Sequence, residues 1–469
     1  MKSALYPAEL STALALGVVA AGIAVLPATP RLAAAAALVC LPVAGWMMQS
    51  ASAWLWLFLC AALLLPPLPL SIGESGAHPA IIAAGFGVYA SAVFAGRWRR
   101  AESRIVEPLI ALTAIMTASL AMALFYCDAA VAIGSAVRVW LFALGPFVFL
   151  YVVSGPGRSL ALDGLRPAAF LYAVGALSAL FACADFFYQF PAPAGYSPQF
   201  IWLADRVLRR AQGVFYDAGA LGNICAFFLT MAAVVVVTAP RHRAMHRWLV
   251  AAGAVPLTMA LVLSYSRAAV LNVAVGVAAV LWLHRDRIRW VRAGLATVAA
   301  LSLVAGGLAT LAPGMTAAWL EHARKTIELA LAGSDIALSG RVLSWQVIGQ
   351  FIVEHPVRTL FGVGYKTLPG SDVLGRPVIA DNTYLSTLME TGIAGLIALC
   401  ALHLAILRET YRAARASDPD AAFYGTWSFA FWMGEMVQMS AADLLTYWRL
   451  LPVFFFVIGL AVVRSRRHA

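Results

Sequence analysis

Long apolar runs decide most of what this chain can become. A stretch of roughly 17 to 25 apolar residues is enough to cross a bilayer core as a helix, and the sequence holds about 14 such stretches, 12 on a conservative count. They fall near 9–27, 31–48, 51–68, 79–96, 106–127, 131–153, 167–190, 213–239, 248–264, 268–284, 293–312, 385–408, 421–439 and 450–463. Each is expected to be helical, because backbone N–H and C=O groups in hydrocarbon must be satisfied within their own segment. The expected fold is therefore all-α: a polytopic helical membrane protein, with 1–469 forming a single integral membrane domain. Composition agrees, since 62% of the residues are hydrophobic and only 12% charged, far from the usual make-up of soluble domains.

A net charge of +11 invites a nucleic-acid reading, so the placement of the basic residues has to decide. They cluster in short loops, as in Arg97, Arg99, Arg100 and Arg104, or Arg285, Arg287, Arg289 and Arg292, or Arg464, Arg466 and Arg467. Every second loop is basic, which is the positive-inside pattern. It puts both termini in the cytoplasm and 313–384 on the opposite, periplasmic side. The first apolar segment lacks a convincing small-residue cleavage site and is followed closely by another, so it reads as a retained helix. The six cysteines all lie inside expected spans with no CxxC pair, so neither a disulfide framework nor a metal site is expected, and no cofactor.

Two stretches between spans stand out by length and polarity, 191–212 and the loop 313–384. Long ordered loops in a tightly looped protein are usually functional. Within the larger one, 316–332 and 341–354 carry apolar residues at helical spacing. Such helices could lie on the membrane surface and roof a cavity.

Of the 33 Lys and Arg residues, 13 break the positive-inside rule or lie in spans, among them Arg138, Arg206, Arg209, Lys366 and Arg449. A cation at the bilayer centre costs about 2.5–3.5 kcal/mol on insertion scales, so each calls for a compensating anion. Arginine suits phosphate oxygens because its planar fork donates two parallel, charge-assisted hydrogen bonds. Arg267 lies where two apolar spans meet with almost no loop, which confines its guanidinium to the mouth of the bundle. Arg210 opens the segment Arg210 to Asn223 at the entrance of another span from the same side. The segment 340–392 then brings Gly340-Arg341, Trp345, His355-Pro356, Gly362-Val363-Gly364 and Asp381-Asn382-Thr383-Tyr384, running into Glu390 and Gly392. Its glycines permit close approach to a ligand or another backbone. Asp381, just before a span, is placed to take a proton from a sugar hydroxyl; the same residue would also serve as a helix N-cap. His355 reads as structural and His322 as a solvated helix residue. Asp418-Pro419-Asp420 resembles a metal-binding DxD but falls on the cytoplasmic side, and Gly362 to Thr367 lacks the full spacing of a phosphate loop.

The order Arg-x-x-Gly-x-Phe, Ser-Arg-x-x, Gly-Arg-x-x-x-Trp, His-Pro, Gly-x-Gly and Asn-x-Tyr-Leu-x-x-Leu-x-Glu-x-Gly-x-x-Gly resembles the O-antigen ligase and polymerase superfamily over 206–400. Its last element, Asn382 to Gly395, is the most distinctive. The resemblance implies an inverting, metal-independent glycosyltransferase of the bacterial inner membrane with a periplasmic active site. The donor it implies is an undecaprenyl-diphosphate-linked glycan; the acceptor is lipid A-core or a second lipid-linked glycan. Diphosphate-binding arginines map onto Arg210 and Arg267, with Arg341 a further candidate. Asp381 becomes the catalytic base, and Asn382, Tyr384 and Glu390 position the acceptor. Where the ligases usually carry His before the Asn, this chain has Asp381, which looks more like members that polymerise exopolysaccharide or O-antigen repeats. A transporter or flippase of a lipid-linked or anionic solute is the alternative class, although neither inverted repeats nor broken helices stand out.

Overall fold

The computed structural model describes residues 50–68, 71–72, 75–76, 78–100, 102–193, 195–202, 207–238, 246–286 and 341–466, with Gly45 and separated positions between 310 and 328. Within these, the helices are α1 (Ala53–Leu64), α2 (Pro79–Val93), α3 (Val106–Ala118), α4 (Leu120–Tyr126), α5 (Ala129–Val153), α6 (Arg166–Tyr188) and α7 (Ala218–Thr238). They continue with α8 (Arg247–Leu263), α9 (Arg267–Leu283), α10 (Arg341–Glu354), α11 (Pro356–Phe361), α12 (Thr383–Ala414), α13 (Pro419–Met439) and α14 (Leu451–Ser465). A short antiparallel hairpin pairs Phe200–Trp202 with Val207–Arg209.

Every expected span within the described residues falls on a helix. Those at 9–27, 31–48 and 293–312 lie outside them, apart from Gly45 and Thr310. Among the described residues, five helical stretches are long and apolar enough to cross a membrane: Val106–Tyr126, Ala129–Val153, Arg166–Tyr188, Ala218–Thr238 and Thr383–Ala414. Five shorter helices, α1, α2, α8, α9 and α14, are apolar as well. The expected helix 341–354 is α10 itself. Of 316–332, six separated positions including Ala317, Leu320 and Lys325 are described, and all six are helical.

The centre of the bundle is built from α13 and α14. Every residue of α14 from Leu451 to Arg464 is buried; a helix that is hydrophobic all round belongs inside a bundle. It packs on α5 and α13, and α13 packs in turn on α9 and α12. Where helices must approach closely, glycine permits it: a Cβ on Gly434 of α13 would lie 2.4 Å from the Asn272 carbonyl of α9.

One stretch of the long loop leaves helical geometry inside the bundle. Helix α12 is broken at Gly392 (φ 75°), and the segment after α11 fits against the break. The Val363 N–H donates to the Met389 carbonyl at 3.0 Å and the Gly364 N–H to that of Glu390 at 2.9 Å. Gly362 and Gly364 take φ of 83° and 113°, and Cβ atoms there would meet the Glu390 carbonyl and Ala123 at 2.6 Å. The Gly-Val-Gly element thus approaches other backbone. Opposite it, α3 and α4 part at Ser119, whose hydroxyl accepts from the Tyr365 N–H at 3.1 Å. Irregular backbone inside a helical bundle persists where protein groups satisfy it, as here.

Candidate functional site

Helices α5, α7, α9 and α12 begin at one end of the bundle, where the connections preceding α7, α9, α12 and α14 converge. Together they enclose a cavity of about 680 Å³, within the ~300–1,000 Å³ typical of small-molecule sites. Arg210, Arg267, Arg341 and Asp381 all line it, although they are spread over more than 170 positions of sequence. Among the described residues five cations face it, Arg138 and Lys366 with those three arginines, against the three carboxylates Asp217, Asp381 and Asp443. Cation exceeds anion by two, so the chamber suits an anion.

Each arginine is held by its own element. Arg267 is the first residue of α9 and Arg341 the first of α10, which puts both guanidinium groups near helix N-termini, where backbone N–H groups also favour negative charge. Arg210 follows the hairpin and donates through Nε to the Ser264 carbonyl at 2.8 Å, which ties it to the turn that presents Arg267. Burial lowers the Arg210 pKa, and Asp217 and Tyr447 act in the opposite direction.

Asp381 sits in left-handed backbone at φ 45°, a conformation that costs a non-glycine residue roughly 1–2 kcal/mol. Tyr265 (φ 49°) and Lys366 (φ 57°) share it and line the same cavity; strained residues of this kind gather at functional sites. The Asp381 Oδ2 accepts from Arg341 Nε at 3.2 Å, and the carboxylate remains 43% exposed to the cavity. Asp381 does not cap α12. The cap is Asn382, whose Oδ1 accepts from the N–H groups of Tyr384 (3.0 Å) and Leu385 (3.1 Å) and whose Nδ2 donates to the Ser440 carbonyl at 3.0 Å.

Asn382, Tyr384 and Glu390 are not among the lining residues. The Tyr384 hydroxyl donates to the Met436 carbonyl at 2.9 Å, bracing α12 on α13. Glu390 is buried and pairs with Lys366 Nζ at 3.6 Å. Lys366 reaches Asp443 on its other side, and Ser386 Oγ donates to the same Asp443 oxygen at 3.0 Å. Burial alone would lower the Lys366 pKa, but Asp443 and Glu390 outweigh it and hold it above the usual lysine value.

Several lining residues escaped the sequence reading. Asp443 and Tyr447 stand just before the apolar run 450–463, and Asp217 falls within the expected span 213–239, one residue before the observed start of α7 at Ala218. Tyr447 is half-buried; desolvation, with Asp217 and Asp381 close by, raises its phenol pKa well above the ordinary value. Beneath the cavity, Gln438 joins a buried polar node. Asn272 Nδ2 donates to Glu435 Oε2 at 3.0 Å and to Gln438 Oε1 at 2.9 Å, and Asn223 Nδ2 contacts the same two oxygens.

Other cations find partners within the protein. Arg209 pairs with Asp185 at 3.3 Å. Arg449 donates to the carbonyls of Ala62, Val214 and Leu65 at 2.7–2.9 Å. Asp418 caps α13 and, with Asp420, pairs with Arg464, so the DxD-like triplet serves as a helix start.

Apolar helices long enough to cross a bilayer, with a cation-rich chamber at one end of the bundle, have the make-up of a membrane protein. Residues 252–400 match the family model described as O-antigen ligase, and the match supports the O-antigen ligase and polymerase superfamily, whose chemistry is glycosyl transfer. The matched segment contains Arg267, Arg341, Asp381, Asn382, Tyr384 and Glu390, while Arg210 and Asp443 lie outside it. No curated protein matches the chain.

Proposed function

We propose that the chain transfers a glycan from an undecaprenyl-diphosphate carrier to an acceptor hydroxyl at the periplasmic face of the inner membrane, with inversion at the anomeric carbon. The observation that carries the reading is the convergence of Arg210, Arg267, Arg341 and Asp381 on one cavity, inside a chain whose residues 252–400 match the O-antigen ligase family. The diphosphate binds against Arg210 and Arg267. As the anomeric C–O bond breaks, negative charge grows on the departing diphosphate, and cations already fixed by helix starts and the Ser264 carbonyl favour that state over the ground state. Asp381 takes the proton of the attacking hydroxyl. Its Oδ2 is oriented by Arg341, leaving Oδ1 for the acceptor. Asn382, Tyr384 and Glu390 act through the framework by fixing the start of α12, and so position Asp381. The acceptor is a lipid A-core sugar or a second lipid-linked glycan, the latter favoured by aspartate in place of the histidine usual in ligases.

The test is purified protein in liposomes with a lipid-diphosphate glycan and no nucleotide. Glycan transfer supports the reading, and translocation without bond formation refutes it. Asp381→Asn is expected to lower the transfer rate by about 10²–10⁴-fold with donor binding retained, and a near-normal rate removes the base assignment. Arg267→Ala is expected to weaken donor binding by about 1.5–3 kcal/mol, the loss of a charge-assisted hydrogen bond; unchanged affinity removes the phosphate clamp.

A further inference from the structure

The cavity does not end at Tyr447 and Trp448. Behind them lies a second chamber of about 390 Å³, which shares Leu141, Asp217, Thr446, Tyr447 and Trp448 with the first as a common wall. The two differ in chemistry. The first has five cations; the second has Arg449 and is otherwise largely apolar and aromatic, with Ile81, Val137, Trp140 and Leu450. Arg449 is already engaged by three carbonyls and lies over the Phe215 ring at 4.7 Å. His78, also on the wall, accepts from the Ala80 N–H and contacts the Leu65 carbonyl. Asp217, on the shared wall, accepts from the Ala220 N–H at 2.7 Å and from Gln199 Nε2 at 3.4 Å; with these groups engaged, most of the chamber's remaining surface is apolar.

The mouth shows what it faces. Val137 and Trp140 on α5 are 41% and 51% exposed. They follow the start of that helix at Ala129 by 8 and 11 residues, which at 1.5 Å per residue is roughly 12–17 Å along the span. That depth belongs to hydrocarbon, where a glycan would lose its water without replacement and an apolar chain would lose nothing.

We propose that the second chamber is the port for the isoprenoid tail of the diphosphate lipid, entering between α2 and α5, with the head passing Tyr447 and Trp448 into the arginine-lined cavity. An anionic head joined to an apolar tail is the one chemical class that satisfies both chambers at once. The inference rests on the first cavity being a diphosphate site and adds where the tail lies and which residues read it.

The test uses the full chain in lipid nanodiscs and polyprenyl diphosphates without glycan, so that it does not depend on transfer. A long-chain probe with a photoreactive group on its first isoprene units is expected to label peptides containing Ile81, Val137 or Trp140, and unlabelled long-chain diphosphate is expected to compete. Val137→Trp, which fills the mouth, is expected to reduce the preference for long-chain over geranyl diphosphate by about tenfold. Should that variant fold poorly, Ile81→Trp and the labelling pattern carry the same information. Labelling on another face, such as Ile393 and Ile397 of α12, with inorganic pyrophosphate still displacing the probe, overturns the port and leaves the diphosphate site standing. Failure of pyrophosphate to displace the probe overturns both.

Discussion

Lys366→Met tests the most enclosed cation among the described residues. The Lys366 side chain is 4% exposed and lies between Asp443 and Glu390. Replacing it with a side chain of similar length keeps the packing and removes the cation. Glu390 is then left buried with no cation beside it, and removing one partner of a buried pair costs about 3–5 kcal/mol. Asp443 borders the cavity and can recover water; Glu390 cannot, so Glu390 sets the loss. Out of a total stability of about 5–15 kcal/mol, this is a large share. The assay is thermal unfolding in detergent followed by tryptophan fluorescence, on Lys366→Met, Glu390→Gln and the double variant. The double variant is expected to recover most of the loss, with a coupling of about 2–3 kcal/mol. A single variant within about 1 kcal/mol of the parent, or a double variant no better than the single, would refute the view of Lys366 as the counterion of Glu390.

Two further perturbations follow from the same geometry. Gly392→Ala places a Cβ 2.2 Å from the Leu360 carbonyl at φ 75°, so a loss of more than about 2 kcal/mol is expected in the same unfolding assay; wild-type stability would mean the break in α12 is not required. Burial, with Arg449 adding to it, lowers the His78 pKa to about 3, below its ordinary value of 6.5, so the unfolded chain binds the proton more readily than the folded one. The stability tied to His78 is therefore complete above pH 6.5 and is lost as pH falls toward 3, at up to about 1.4 kcal/mol per unit. Unfolding temperatures from pH 7 to 5 should fall less steeply in His78→Gln, and parallel curves would show that His78 is not the group responsible.

Much of the bundle was legible because each apolar run carries its own backbone hydrogen bonds and needs no distant partner to declare itself. Helix α10 was readable for a similar reason, through the spacing of Trp345, Ile348 and Ile352. The break between α3 and α4 was not, since Ser119 is an ordinary helix residue until Tyr365, distant in sequence, presents an N–H to it. The grouping of Arg210, Arg267 and Asp381 could be anticipated because each precedes an apolar run at the same end of the bundle. Whether Asp381 or Asn382 caps α12 turned on a single φ angle that spacing does not report. The charges of Lys366, Glu390 and Asp443 were individually visible, but their meeting depends on 362–366 folding back along α12, which no local pattern announces.

Helix α14 follows every other described helix in the chain, yet α5, α12 and α13 surround it. Its partners are made before it is, so during synthesis they have to hold a vacant slot or part again to admit it. Because Trp448 and Arg449 lead directly into α14, the wall between the two chambers cannot be set until that slot is filled, and the paired chambers should therefore be among the last features of the fold to take shape.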